Sequence, residues 1–167
     1  MLKICTFEKK FEDQIIDLIV KIQREEFGIP ISPEQQPDLR TIPSYYQKNK
    51  GNFWVALAAE KVIGTIALLD ISAGNAALRK MFVVSEYRGG QFGTANLLLE
   101  TLLMSASHSG LNTVYLGTTS KFLAAHRFYE KNGFTLIQKA ELPDTFPVMA
   151  VDSRFYKIAV AQQESHV

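Results

Sequence analysis

The chain has 167 residues, 47% of them hydrophobic and 21% charged, with a net charge of +1; this fits one globular domain and excludes a disordered chain. No basic run marks a nucleic-acid binder, and Cys5 as the single cysteine, with His108, His126 and His166 scattered, excludes an internal disulfide and gives a metal site little support. No apolar run reaches the roughly 18 residues of a membrane span, and MLKICTFEKKFED lacks a signal peptide's apolar segment and cleavage site, so a cytoplasmic protein is the default expectation.

Leu2 to Thr6 reads as a short strand. Phe11, Ile15, Leu18, Ile19 and Ile22 then follow helical spacing, with Glu12 and Asp13 in the first turn and Gly28 and Pro30 as the stop. The stretch GIPISPEQQPDLRTIP holds four prolines and cannot be one regular element. It reads equally as a surface connection or as a substrate-facing loop. Phe53–Ala59 and Val62–Leu69 are strands joined by a tight hairpin at Glu60 and Lys61, and a turn at Ser72–Asn75 leads to a third strand, Ala77–Val84. Together they predict an antiparallel meander.

From Thr94 the period changes. Ala95, Leu98, Leu99, Leu102, Leu103 and Ala106 make one helical stripe, closed by Gly110. Thr113–Leu116 is a further strand. Phe122–Asn132 is a second core-facing helix, with Ala124, Ala125, Phe128 and Tyr129 on one face and Gly133 as its stop. Phe134–Ile137 and Val148–Val160 supply the last strands. The order β-α-β-β-β-α-β-α-β-β is that of a mixed-sheet α/β domain, taken to span residues 1–160, with 161–167 as a frayed tail.

The chemistry sits in EYRGGQFGTANLLLE, where Gly89, Gly90 and Gly93 lie between a strand and a helix start. The first turn of a helix offers unpaired N–H groups that bind anions, and glycine lets backbone approach closely. The pattern GxxxxGK[ST] is absent, because no lysine follows Gly93, and so is GxGxxG. Arg88-Gly89-Gly90-Gln91-Phe92-Gly93 resembles instead the [QR]xxGxG/A signature of the GNAT superfamily of N-acetyltransferases, matching at Arg88 and Gly93 and departing at Gln91. A second segment, AAHRFYEKNGF, is similar to the same superfamily's AxxFYxKxGF. Two motifs in the right order on a compatible element order carry more weight than either alone.

The resemblance implies a mostly antiparallel mixed sheet of six to seven strands, flanked by helices, with one strand pair splayed around acetyl-CoA. It implies an acyltransferase moving the acetyl group of acetyl-CoA to a primary amine, that of a small molecule, by direct attack in a ternary complex and without a metal. The backbone of Met81, Phe82 and Val83 would pair with the pantetheine arm, and Arg88, Gly89, Gly90, Gln91, Phe92, Gly93 and Thr94 would hold the pyrophosphate. Tyr129 matches the family tyrosine that protonates the leaving thiolate. Two positions depart: Phe122 stands where many members have asparagine, and Ala77 where many have a glutamate base. Glu25, Glu26 and Glu141 are candidate bases by location. Tyr45, Tyr46 and Phe146 are candidate acceptor-pocket walls, and Glu25, Glu26, Glu34 and Asp38 would attract a cationic amine. A non-catalytic acyl-CoA-binding or sensing module, a protein N-acetyltransferase and a homodimer remain open. A left-handed Gln91 would cost about 1–2 kcal/mol, unless Gly89 and Gly90 absorb the strain.

Overall fold

The computed structural model describes residues 2–162; the part of the expected tail from 163 to 167 lies outside them. Seven strands form one sheet in the order β1-β2-β3-β4-β5-β7-β6. They are β1 (Leu2–Thr6), β2 (Asn52–Ala58), β3 (Lys61–Asp70), β4 (Asn75–Val83), β5 (Thr113–Thr118), β6 (Thr135–Ile137) and β7 (Arg154–Ala159). All neighbours run antiparallel except β4 and β5, which are parallel. The helices are α1 (Glu12–Glu25), the single turn α2 (Ile42–Tyr45), α3 (Thr94–His108) and α4 (Leu123–Lys131).

Alternation along the central strands feeds two cores, one on each face. Ile15, Ile19 and Ile22 of α1 pack over Phe53, Val55, Ala67 and Ala77. Leu98, Leu99, Leu102 and Ala106 of α3 pack over Ala56, Ile66 and Leu78, where Tyr129 and Phe134 join them. β2 and β3 are buried on both faces, which explains their nearly continuous apolar runs. No helix among the described residues is long and apolar enough to cross a membrane.

Four local expectations change. The β2–β3 hairpin turns through Ala59 and Glu60, both at positive φ, so Lys61 already belongs to β3. The last strand starts at Arg154, not Val148: residues 148–153 form a turn that leaves Val148, Met149 and Val151 exposed. They have no strand to pair with, because β6 is only three residues long. In α4 the buried side chains are His126 and Tyr129, while Ala125 and Phe128 are half-buried and Ala124 is exposed. The proline-rich stretch is more ordered than a plain surface connection, though its outer side stays exposed. It folds into two 3-10 turns and α2, and buries Gln36, Asp38, Leu39 and Ile42.

Gly51 locks the entry to β2. A Cβ there would overlap the Tyr46 carbonyl and lie 2.6 Å from that of Leu68, both backbone atoms. Gly51→Ala therefore lowers stability by about 1–3 kcal/mol. A urea titration reads this as a lower midpoint with unchanged slope, and an unchanged midpoint would refute it.

Candidate active site

β4 and β5 stay together for only three residues each. Asn75, Ala76 and Ala77 pair with Thr113, Val114 and Tyr115, and then the strands part. β5 continues as the partner of β7, while β4 keeps only β3. From Leu78 to Val83 one backbone edge of β4 is thus left without a strand, inside the sheet and not at its rim. Such an edge accepts an extended ligand as an added strand. Met81, Phe82 and Val83 lie on it.

A bulge shapes the same segment. Thr65 faces Phe82 and Ala67 faces Arg79, so β4 carries one residue more than β3 across this step. Lys80 sits there at φ +54, and the Thr65 hydroxyl donates to its carbonyl at 2.6 Å. Strict alternation would send Arg79 and Lys80 to opposite faces. The bulge instead brings both to the α1 side, where Arg79 reaches Tyr45 and Lys80 reaches Gln36.

After Val83 a 3-10 turn at Ser85–Tyr87 leads into the glycine turn and α3. The left-handed positions are Gly89 (φ +103) and Gly93 (φ +66), and Gln91 is not among them. Gln91 is thus accommodated without backbone strain, and Gly93 rather than Gly90 shares the geometry with Gly89. A Cβ on Gly89, Gly90 or Gly93 would meet nothing within 4 Å, so the turn is open outward. Gly93 is also the N-cap, and no side chain caps α3. The N–H groups of its first turn are left for an anion. Thr94 is buried, its hydroxyl donating to the Tyr87 carbonyl at 3.0 Å, so it offers its backbone. Arg88 turns away from the cradle: Nε donates to the Val83 carbonyl at 2.7 Å and Nη2 to Glu26 at 2.8 Å.

α4 carries Tyr129, 7% exposed, with its hydroxyl aimed at β4: the nearest acceptor is the Met81 sulfur at 3.7 Å. The helix is fixed at both ends. His126 Nε2 lies 2.9 Å from the Thr119 carbonyl. Tyr156 of β7 donates to Glu130 at 2.5 Å, and Arg154 bonds both. Gly133, at φ +94, ends the helix. Burial holds the Tyr129 phenol well above its usual pKa, so it stays protonated.

The sequence model described as "Acetyltransferase (GNAT) family" matches residues 16–134. The chain belongs to the GNAT acetyltransferase family. An acetyltransferase of this family from Staphylococcus aureus Mu50 superposes with a TM-score of 0.92 at 34% identity, over 96% of this chain and 100% of that one. N-acetylaspartate synthetase of Xenopus tropicalis is 39% identical over 99 residues, 58% of this chain and 36% of that protein. The chain therefore spans only about a third of that curated relative. The PaiA N-acetyltransferase of Thermoplasma acidophilum, solved in complex with coenzyme A, shares the fold at a TM-score of 0.72 and 18% identity.

As a GNAT chain it departs from the common pattern at the two noted positions. Ala77 is fully buried and offers no base. Phe122 stacks on Phe27 from the end of α1, with centroids 3.7 Å apart, giving an apolar wall where an asparagine would give a hydrogen bond. The three carboxylates considered as bases are poorly suited. Glu26 pairs with Arg88, Glu141 accepts the Gln138 N–H at 2.7 Å, and Glu25 is exposed on α1.

Sequence reasoning missed a buried polar network beside the parted strands. Gln23 and Gln36 exchange amide hydrogen bonds at 2.9 and 3.3 Å. Lys80 Nζ donates to Gln36 at 2.7 Å and lies 3.6 Å from Asp38, whose other contact is the Tyr46 hydroxyl at 2.6 Å. Asp38 is thus no surface attractor for a cationic amine. Of the expected walls, Phe146 packs on Phe155, and Tyr46 is fully buried; Tyr45, half-buried, accepts from Arg79, whose guanidinium also lies over the Tyr46 ring. The signal available in the sequence was LRKM, two adjacent cations inside an apolar strand. No group of three or more metal-ligating side chains occurs among the described residues.

Proposed function

We propose that the protein transfers the acetyl group of acetyl-CoA to the primary amine of a small molecule by direct attack within a ternary complex. The observation that carries this reading is the open β4 edge, with the uncapped start of α3 at one end and the Tyr129 hydroxyl over Met81. The backbone of Met81–Val83, apart from the Val83 carbonyl that Arg88 holds, binds the pantetheine arm, and an N–H there stabilises the oxyanion that forms on the acetyl carbonyl. The amides of Gly89–Thr94 hold the pyrophosphate. Arg88 secures the turn by tying it to Glu26 and Val83.

In the reaction the neutral amine attacks the acetyl carbonyl carbon, the C–N bond forms and the C–S bond breaks. The attacking nitrogen sheds one proton to solvent, while Tyr129 donates its own to the departing sulfur and recovers one from solvent, so that the amide and the free thiol are both neutral. The matched curated relative is named for an acetylated amino acid, which favours a small-molecule acceptor over a protein tail.

Titration calorimetry with acetyl-CoA, followed by thiol-release assays over amino acids, polyamines, aminoglycosides and peptides, tests the reading. Binding with turnover of at least one small amine is expected. Tight binding with no turnover across the panel would make the chain a non-catalytic acyl-CoA module, and turnover of peptides alone would make it a protein N-acetyltransferase.

A further inference from the structure

Arg79 and Asp152 face the gap between β4 and β5 from its two sides. The last paired residues are Ala77 and Tyr115. Arg79 lies two residues beyond on β4, and Gly117 two residues beyond on β5. Asp152 sits over Gly117, where a Cβ would come 2.7 Å from Oδ2. Only a glycine leaves room for that carboxylate. Both groups are on the α1 face, since Ala77, Tyr115 and Phe155 belong to its core. Met149 bridges them: its N–H donates to Asp152 Oδ2 at 2.9 Å, and its sulfur lies 3.5 Å from Arg79 Nη2.

Arg79 is a half-buried cation whose direct contacts are neutral, while the charges of Asp38, Lys80 and Asp152 act on it from beyond contact. Its guanidinium packs on the rings of Tyr45 and Tyr46, 5.8 and 5.9 Å from their centroids, and Nη1 donates to the Tyr45 hydroxyl at 3.0 Å. No ion pair to a carboxylate is formed by Arg79 among the described residues, whereas Lys80 has Asp38, Arg88 has Glu26, Arg154 has Glu130 and Arg40 has Glu12 and Asp13. An enclosed guanidinium with spare donors suits a carboxylate, which it can bind in fork geometry. Asp152 keeps Oδ1 free of hydrogen bonds to described residues. Burial raises its pKa, against the opposing Met149 N–H and Arg79 charge, which makes it a better proton acceptor than an exposed carboxylate.

Resting on the acetyl transfer proposed above, we infer that the acceptor is an amine that also carries a carboxylate, an amino acid in the simplest case. Arg79 binds its carboxylate, and Asp152 holds its ammonium and takes a proton from it. The neutral nitrogen then attacks the acetyl carbon. Of the two protons the ammonium loses in all, one is balanced by the proton that Tyr129 gives to the sulfur, and the other goes to solvent. Asp152 takes the place of the base that Ala77 lacks. An amine without a carboxylate would leave the Arg79 donors without an anion once ligand displaces water from the site, and such a mismatch discriminates strongly.

The test uses thiol release by the full chain with acetyl-CoA and matched acceptors: alanine against ethylamine, glutamate against 4-aminobutyrate, aspartate against β-alanine. For the first pair wild type favours the amino acid by about 100-fold in kcat/KM, and 4-aminobutyrate and β-alanine, which keep one carboxylate, are turned over better than ethylamine. Arg79→Met raises KM for the amino acid by about 30-fold or more and removes most of the preference, leaving KM for acetyl-CoA unchanged. Arg79→Lys recovers part of it. Asp152→Asn lowers kcat and removes the acidic limb of its pH profile. Ethylamine turned over as well as alanine by wild type would overturn the inference and leave acetyl transfer standing, and it needs no variant to fold. No thiol release with any amine would overturn both.

Discussion

Tyr129→Phe lowers kcat by about 10²–10³-fold while leaving KM for acetyl-CoA within about twofold. Among the described residues the Tyr129 hydroxyl has one hydrogen-bond partner, the Met81 sulfur, a weak acceptor, at 3.7 Å. The ring packs against Phe128, Phe134 and Tyr156 at 5.6, 5.4 and 6.1 Å, contacts that phenylalanine keeps. Stability should therefore change by less than about 1 kcal/mol, and the lost rate is chemical. Burial raises the phenol's pKa, so Tyr129 is protonated across the whole range from about pH 6 to 9. The loss should thus be the same at every pH in that range. Full activity with an unchanged pH profile would remove the general-acid role.

The second large effect is on stability. Lys80, its side chain 7% exposed, has its pKa pushed down to about 8, chiefly by burial and also by Arg79, with Asp38 opposing. In the unfolded chain the amine titrates near 10.4. Between these values the native state binds fewer protons than the unfolded one, so stability rises with pH from about 8 to 10. The gain is at most about 3 kcal/mol. Tyr46 has the opposite sign: burial raises its phenol above the usual value, so stability is lost once the unfolded tyrosine ionises above about pH 10. Urea unfolding should show a maximum between about pH 9 and 10.

Lys80→Met removes the climb. It also leaves the Asp38 carboxylate, among the described residues, with the Tyr46 hydroxyl alone, lowering stability at pH 7 by about 3 kcal/mol. Wild-type stability that falls between pH 7.5 and 9.5, or a variant that keeps the rise, would show that Lys80 is not the group responsible.

The two motif segments were legible because their information is local. A glycine at positive φ marks its own turn, as Gly89, Gly93 and Gly133 do, and the helical stripe of Leu98, Leu99 and Leu102 states which side is buried. The order of strands and helices followed from the same periodicities. That β4 parts from β5 after Ala77 is a matter of strand pairing, which the side chains of Met81–Val83 do not encode. The run Val148–Val151 misled because apolar residues signal a strand only if another strand lies beside them.

The sequence by itself determined the order of the strands and main helices and the family, since these rest on neighbours within a helix turn or a strand. Only the tertiary structure decided which side chains face the gap between β4 and β5. Lys80 finds Gln36 across 44 residues and Arg79 finds Met149 across 70. A single added residue in β4 turns both cations to one face, and that register exists only between strands. Asp152 becomes a candidate base because Gly117 makes room for it. Charge, burial and facing at such distances are properties of the packed chain, and no local pattern carries them.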